Sequence, residues 1–253
     1  MSVTIGDVLR LVDGIAPFCL SEEWDNTGLL AGSTERPVTK VLCALDLSEA
    51  VIDEAQDLGA ELIVTHHPIL FRGRKNLNEA DPEARLLVKL VRAGIAHIAA
   101  HTNYDAAETG VNLALADTLG VHDTEALDSG MRIGSIDPIT LGDLAKHVEK
   151  TLGGVVRRYG SADRSVHRVA LLGGSGGSYA EIARRAGAEA FITGETGYHQ
   201  ALDSLALGMC TLEAGHAATE LPAIQALAKA LQIAADAVQY DISVKESAVR
   251  PFL

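Results

Sequence analysis

The chain has 253 residues, 47% of them hydrophobic, enough to bury a full core as one large α/β domain or as two packed halves. Its formal net charge of -13 argues against a sequence-independent grip on nucleic acid, which needs clustered Lys and Arg to displace counterions. Three cysteines without a CxxC spacing exclude a thiolate zinc site and a CxxC redox pair.

Met1-Ser-Val-Thr-Ile-Gly-Asp7 lacks the cationic start and apolar stretch of a secretory signal. Thr4 is an N-cap candidate, and Ile5, Val8, Leu9 and Val12 follow at helical spacing. Lys40-Val41 opens an apolar strand in which Cys43 reads as a core thiol. Gly59 is placed to stop the next helix. Ile63-Val64-Thr65 is then a strand, and its end presents the adjacent histidines His66 and His67. Gly94 stops another helix before the strand Ile95–Ala100, after which His101-Thr-Asn-Tyr-Asp105 sets a histidine four residues before a carboxylate. A further helix ends at Gly120.

The second half repeats the first. Thr140-Leu-Gly-Asp-Leu-Ala145 echoes Thr4-Ile-Gly-Asp-Val-Leu9. Gly187-Ala-Glu-Ala-Phe-Ile-Thr193 matches Gly59-Ala-Glu-Leu-Ile-Val-Thr65 at an offset of 128, and Arg168-Val169 matches Lys40-Val41 at the same offset. Each half reads as helix, strand, helix, strand, helix, strand, helix. The expected fold is therefore α/β: two similar, intimately packed halves related by duplication, residues 1–125 and 126–253, with the site between them. In such open sheets most strands are parallel, and ligands collect beyond their carboxyl ends. The Ala-rich segment 221–238 carries Gln225, Lys229 and Asp236, so it is no membrane span. A cytoplasmic location without a membrane partner is the expectation.

His216-Ala-Ala-Thr-Glu220, after the strand Met209–Ala214, is the second half's histidine with a carboxylate four residues on. Imidazole and carboxylate are ligands for Zn, Mn, Fe, Co or Ni. A lone histidine near a loop usually caps a carbonyl, but His66, His67, Asp105, His216 and Glu220 sit on corresponding loops and read together as a metal site. Consecutive side chains of an extended segment diverge, so His66 and His67 suit two neighbouring ions better than one. His101 is expected to hydrogen-bond a ligand or a water instead of coordinating. Glu195 and His199 lie in the loop equivalent to the histidine pair, where Gly194 and Glu195 replace His66 and His67. His97, His122, His147 and His167 read as structural or surface histidines. Gly173-Gly-Ser-Gly-Gly-Ser178 follows a strand, and Gly174, Ser175 and Gly176 would either hold a phosphate or form a tight turn in a close-packed sheet.

These residues resemble the Nif-three-like family of dinuclear-metal proteins, often labelled GTP cyclohydrolase I type 2, over nearly the entire chain. The points of likeness are Trp24-Asp-Asn-Thr-Gly-Leu29, Thr65-His-His-Pro68, Ala100-His-Thr-Asn-Tyr-Asp105, Gly130-Met-Arg-Ile-Gly134, Gly173–Ser178, Thr193-Gly-Glu195 with Tyr198-His199, and Gly215-His-Ala-Ala-Thr-Glu220. The resemblance implies two divalent ions per subunit held by His66, His67, Asp105, His216 and Glu220, and a ring-shaped homohexamer. It also implies hydrolytic opening of the guanine imidazole ring of GTP with formate release, with Glu195 or His101 carrying protons. A phosphoester or nucleotide hydrolase would use the same metals, and a metal-binding scaffold without turnover is the other class. In either enzyme reading the partner is a small phosphorylated substrate, drawn by the ions and by Arg72, Arg74 and Lys75. Many relatives have a second histidine where this chain has Ala217, and longer ones insert a domain for which residues 121–139 leave no room.

Overall fold

A computed structural model describes residues 2–250, which form a mixed α/β protein with two sheets in two compact units. In chain order, the first unit contains α1 (Ile5–Ile15), β1 (Gly28–Ala31), β2 (Lys40–Ala44), α2 (Glu49–Leu58), β3 (Leu62–Thr65), α3 (Pro82–Ala93), β4 (Ala96–Ala99) and α4 (Thr102–Ala106). The second contains α5 (Val111–Leu119), β5 (His122–Ala126), β6 (Arg132–Thr140), α6 (Leu141–Leu152), β7 (Arg157–Tyr159), β8 (Ser165–Leu172), α7 (Ala180–Arg185), β9 (Ala190–Thr193), α8 (Tyr198–Ala206) and β10 (Cys210–Glu213). It also holds the start of α9 (His216–Ala237), and β11 (Ser243–Glu246) follows in the first unit.

The division differs from a single cut after residue 125. The first unit runs to Ala107 and takes up the chain again from Ile224, because β11 adds to its sheet beside β2. The second unit is Glu108–Ala223.

The first sheet has the order β1-β4-β3-β2-β11, parallel throughout except for antiparallel β1. The second, β5-β6-β8-β9-β10-β7, is mixed. Its centre β8-β9-β10 is parallel, while β5, β6 and β7 pair antiparallel, so the expectation of mostly parallel strands holds for the first sheet only. The sequence match extends to strand register: Val41 lies opposite Leu62 in one sheet and Val169 opposite Ala190 in the other, each counterpart 128 positions on.

Local signals account for the helices. Ser48 and Asp81 accept from the N–H groups of Val51 and Ala84, while Gly59, Gly94 and Gly120 end helices at φ of 66°, 67° and 72°. Those left-handed turns, adopted without a Cβ penalty, direct the chain into the strand that begins two or three residues later. In the first unit Leu42, Ile52, Ile63 and Leu90 are buried together, and in the second Leu115, Leu144, Val169, Ile192 and Leu212. The Thr140 hydroxyl accepts from Asp143 N–H at 3.1 Å and starts α6, which buries Leu141, Leu144 and Val148. Thr140→Ala is expected to cost about 1 kcal/mol in chemical denaturation, with an unchanged circular dichroism spectrum. No helix among the described residues is long and apolar enough to cross a membrane.

Candidate metal centre

In the first unit the histidine pair sits where β3 ends. All four residues of β3 are buried, and beyond Thr65 the backbone stays fastened to the neighbouring segment: His66 N–H donates to Ala44 O at 3.2 Å and His67 N–H to Leu45 O at 3.0 Å. His66 is buried, and its Nδ1–H donates to Ala100 O at 2.9 Å. A carbonyl only accepts, so the tautomer is fixed and the lone pair lies on Nε2, 3.7 Å from Asp105 Oδ1. His67 Nδ1 is 2.8 Å from Asp46 Oδ1, and His101 Nδ1 is 3.0 Å from Asp25 Oδ1. Each imidazole thus gives its Nδ1–H to an oxygen acceptor, which puts the ring lone pair on Nε2, the arrangement that orients metal-binding histidines.

One ring nitrogen from each of His66, His67 and His101 lies within 4.8 Å of the others. The sequence expectation that His66 and His67 diverge does not hold: their ring centroids are 4.9 Å apart. Strand geometry has ended at Thr65, so side-chain alternation no longer governs them. His101, expected to hydrogen-bond a ligand or a water, lies beside the pair, its ring 5.1 Å from that of His66. Asp25, whose side chain is wholly buried, also accepts from Thr102 N–H at 3.1 Å and Thr102 Oγ1–H at 2.6 Å. Burial opposes its ionisation, but the hydrogen bonds from His101 and Thr102 outweigh it and hold the carboxyl well below its ordinary range. Asp25 and Asp46 were not singled out from the sequence. Asp25 lies in the Trp24-Asp-Asn motif, and Asp46 directly after the β2 run, which were the available signals.

In the second unit His216 and Glu220 lie on the first turns of α9, Nε2 to Oε1 3.2 Å, and the glutamate is almost completely buried. Glu195 Oε2 is 3.4 Å from His216 Nδ1 and accepts from the Ser175 hydroxyl at 2.7 Å. That hydroxyl bond, against a burial effect and helped by His216, lowers the Glu195 pKa. Gly194, in the place of His66, is where a side chain cannot fit: a Cβ there would lie 2.6 Å from Gly174 O and 2.8 Å from His216 Cα. At Gly174 (φ +62°) a Cβ would run into Glu220 Oε1. Both glycines keep space around the histidine–carboxylate pair.

The glycine loop is explained by that packing. Gly173 N–H donates to Asn112 Oδ1, Gly174 N–H to Thr219 Oγ1, Gly176 N–H to Thr193 Oγ1 and Gly177 N–H to Glu195 O. The backbone donors of Gly174 and Gly176 are therefore engaged within the protein, as a tight turn in a close-packed sheet requires. Ser175 spends its hydroxyl on Glu195. His147 and His167 bind the carbonyls of Leu119 and Ile136, and His122 pairs with Asp123 at the surface. His199 packs its ring against Tyr198 on α8.

Fold and site together define a mixed α/β protein that carries histidine and carboxylate sets at the carboxyl ends of parallel strands, a donor set suited to divalent transition metals. The chain belongs to the family Duf34/NIF3 (NGG1p interacting factor 3), whose model matches residues 3–251. It is 34% identical over 230 residues to the GTP cyclohydrolase 1 type 2 homolog of Clostridium perfringens, covering 87% of this chain and 88% of that one. A hypothetical protein of Staphylococcus aureus is similar in structure at a TM-score of 0.96 and 28% identity, covering 100% of this chain and 99% of that one. A Bacillus cereus protein related to NIF3 gives a TM-score of 0.95 at 25% identity, with the same coverage.

Proposed function

We propose that the protein is a metal-dependent hydrolase of the GTP cyclohydrolase kind, with two divalent ions held by His66, His67, Asp105, His216 and Glu220. The observation that carries this reading is the tautomer control of His66 and His67, whose Nδ1–H groups are given to Ala100 O and Asp46. Assignment of both units' ligands to the same two ions is part of the proposal, as is the transfer of GTP from the name of the Clostridium relative. When bound, the ions would polarise the bond under attack and acidify water.

The residues have separable tasks. Asp46 and Ala100 O aim the two imidazoles. Asp25 aims His101, which stands beside them as a proton carrier, and Ser175 orients Glu195 for the same role. With the glycine loop's donors at Gly174 and Gly176 engaged, the cations are the main hold on a phosphorylated substrate.

The test is elemental analysis of the metal-loaded chain, together with incubation with GTP and a panel of phosphoesters while formate and phosphate are followed. Two ions per chain and formate from GTP are expected, with the rate reduced at least about 100-fold by His66→Ala. About one ion per chain would contradict the dinuclear site. Phosphate without formate would replace the cyclohydrolase by a phosphoester hydrolase, and turnover of nothing in the panel would leave a metal-binding scaffold.

A further inference from the structure

The chain's single tryptophan is one of its more exposed large apolar residues. Trp24 is 60% exposed and Phe71 44% exposed, and the two rings meet edge to face with centroids 5.7 Å apart. Both also lie against the His101 imidazole, at 6.3 Å and 6.2 Å. Two large rings left in water cost hydration free energy that burial would recover, so their position beside the histidine set calls for a ligand.

The mounting of Trp24 is unusually firm for an exposed residue. Its neighbour Asp25 is fixed by the hydrogen bonds to His101 and Thr102 already described. On the other side Glu22 N–H donates to Thr102 Oγ1 at 3.0 Å, and Asn26 Nδ2–H donates to Leu70 O at 2.5 Å, next to Phe71. The turn that carries the indole is thereby tied both to the His101 segment and to the loop that carries Phe71. A ring held in place loses little conformational freedom when it stacks on a ligand. On the Phe71 loop Arg74 is engaged by Asp81 and Glu83, whereas Arg72 and Lys75 are exposed and favour an anionic substituent.

We propose that Trp24 and Phe71 form the stacking site for a planar heteroaromatic ring, a nucleobase carrying an anionic group, and so hold the substrate's ring next to His101. This rests on the hydrolase reading only in taking the ring compound to be the substrate. Stacking is sequence-tolerant and depends on the flat face, so it selects ring compounds as a class over base-free phosphates.

Because the chain has one tryptophan, its fluorescence reports this position alone. The full chain, stripped of metal with a chelator and then reloaded with Zn²⁺, is titrated with GTP, guanosine and tripolyphosphate, with excitation at the red edge of indole absorption. Saturable quenching by GTP and guanosine but not by tripolyphosphate is expected. Trp24→Leu and Phe71→Leu are each expected to weaken GTP binding in equilibrium dialysis about 5- to 150-fold, and Trp24→Phe to retain most of the affinity. Equal quenching by tripolyphosphate, or unchanged dialysis affinity in both leucine variants, would overturn the proposal. So would shielding of Trp24 from acrylamide in the ligand-free protein, which would assign the rings to a protein interface. Saturable, ring-dependent quenching without formate release would support the stacking site and remove only the hydrolysis reading.

Discussion

Between pH 6.5 and about 4 the protein is expected to lose about 3 kcal/mol of stability to one buried group, His97. His97 lies in the middle of the first sheet with no exposed surface, opposite Ile63 on β3 and Ala31 on β1. Its Nε2 is 2.7 Å from Thr65 Oγ1, and that hydroxyl gives its own proton to His67 O at 2.6 Å. The hydroxyl must therefore accept, His97 must donate from Nε2, and its Nδ1 holds a buried lone pair for which no partner exists among the described residues. Adding a proton there creates a charge with neither solvent nor acceptor, and burial lowers the pKa from 6.5 to about 4. The unfolded chain takes up that proton at the ordinary histidine value, so it binds more protons than the native state across this window. Stability therefore falls as the pH falls from 6.5 and levels off, for this group, below about 4. Urea denaturation of wild type and His97→Gln on a pH grid isolates the effect, since carboxylates and surface histidines contribute to both. Parallel curves would refute it.

The same histidine shows where sequence reading reached its limit. Its alternating apolar surroundings identified it as structural, but not that it braces the His67 carbonyl through Thr65, because that relay joins two strands 32 residues apart. The seven helices and strands read in each half are all present, since their signals are local: a capping hydroxyl at Thr4 or Thr140, a left-handed glycine at Gly59, Gly94 or Gly120, and an apolar run between them. The strands that escaped are the antiparallel and added ones. β5 (His122–Ala126) is almost wholly exposed, β7 is Arg-Arg-Tyr, and β11 is Ser-Val-Lys-Glu, so these three carry no buried run and their pairing comes from the sheet they join, whereas β6 does bury its start, Arg132–Gly134, and was passed over beside the Gly130–Gly134 motif. The histidines of the candidate site were legible because the chain has only nine, and its carboxylates because one recurs four residues after both His101 and His216. Asp25 and Asp46 were not, since an aspartate that aims an imidazole looks in sequence like any other surface aspartate until the distance is known.

Loading the chelator-stripped protein with Zn²⁺ at a free concentration about 1,000 times the dissociation constant is expected to stabilise it by about 4 kcal/mol per site that binds only the folded chain. Such a gain is large against the usual marginal stability of a folded domain. It exists because the ligands are preassembled: His66 and His67 have their tautomers set by Ala100 O and Asp46, and Glu220 is buried on α9 beside His216. An unfolded chain offers the same side chains without the geometry. His66→Ala is expected to abolish the zinc-dependent part of the stabilisation in the first unit's set. Asp46→Ala, which leaves His67 in place but without its orienting acceptor, should weaken zinc about 10- to 100-fold while leaving the stripped protein's own melting temperature nearly unchanged. Gly174→Ala acts from the other unit, since its Cβ would push against Glu220 Oε1 and disturb the carboxylate without removing a ligand atom. Calorimetry of the stripped and loaded forms of all four proteins separates the cases. A zinc-dependent gain in wild type that survives unchanged in His66→Ala would show that the ion binds elsewhere, and equal gains in wild type and Asp46→Ala would show that the His67–Asp46 hydrogen bond does not serve a metal.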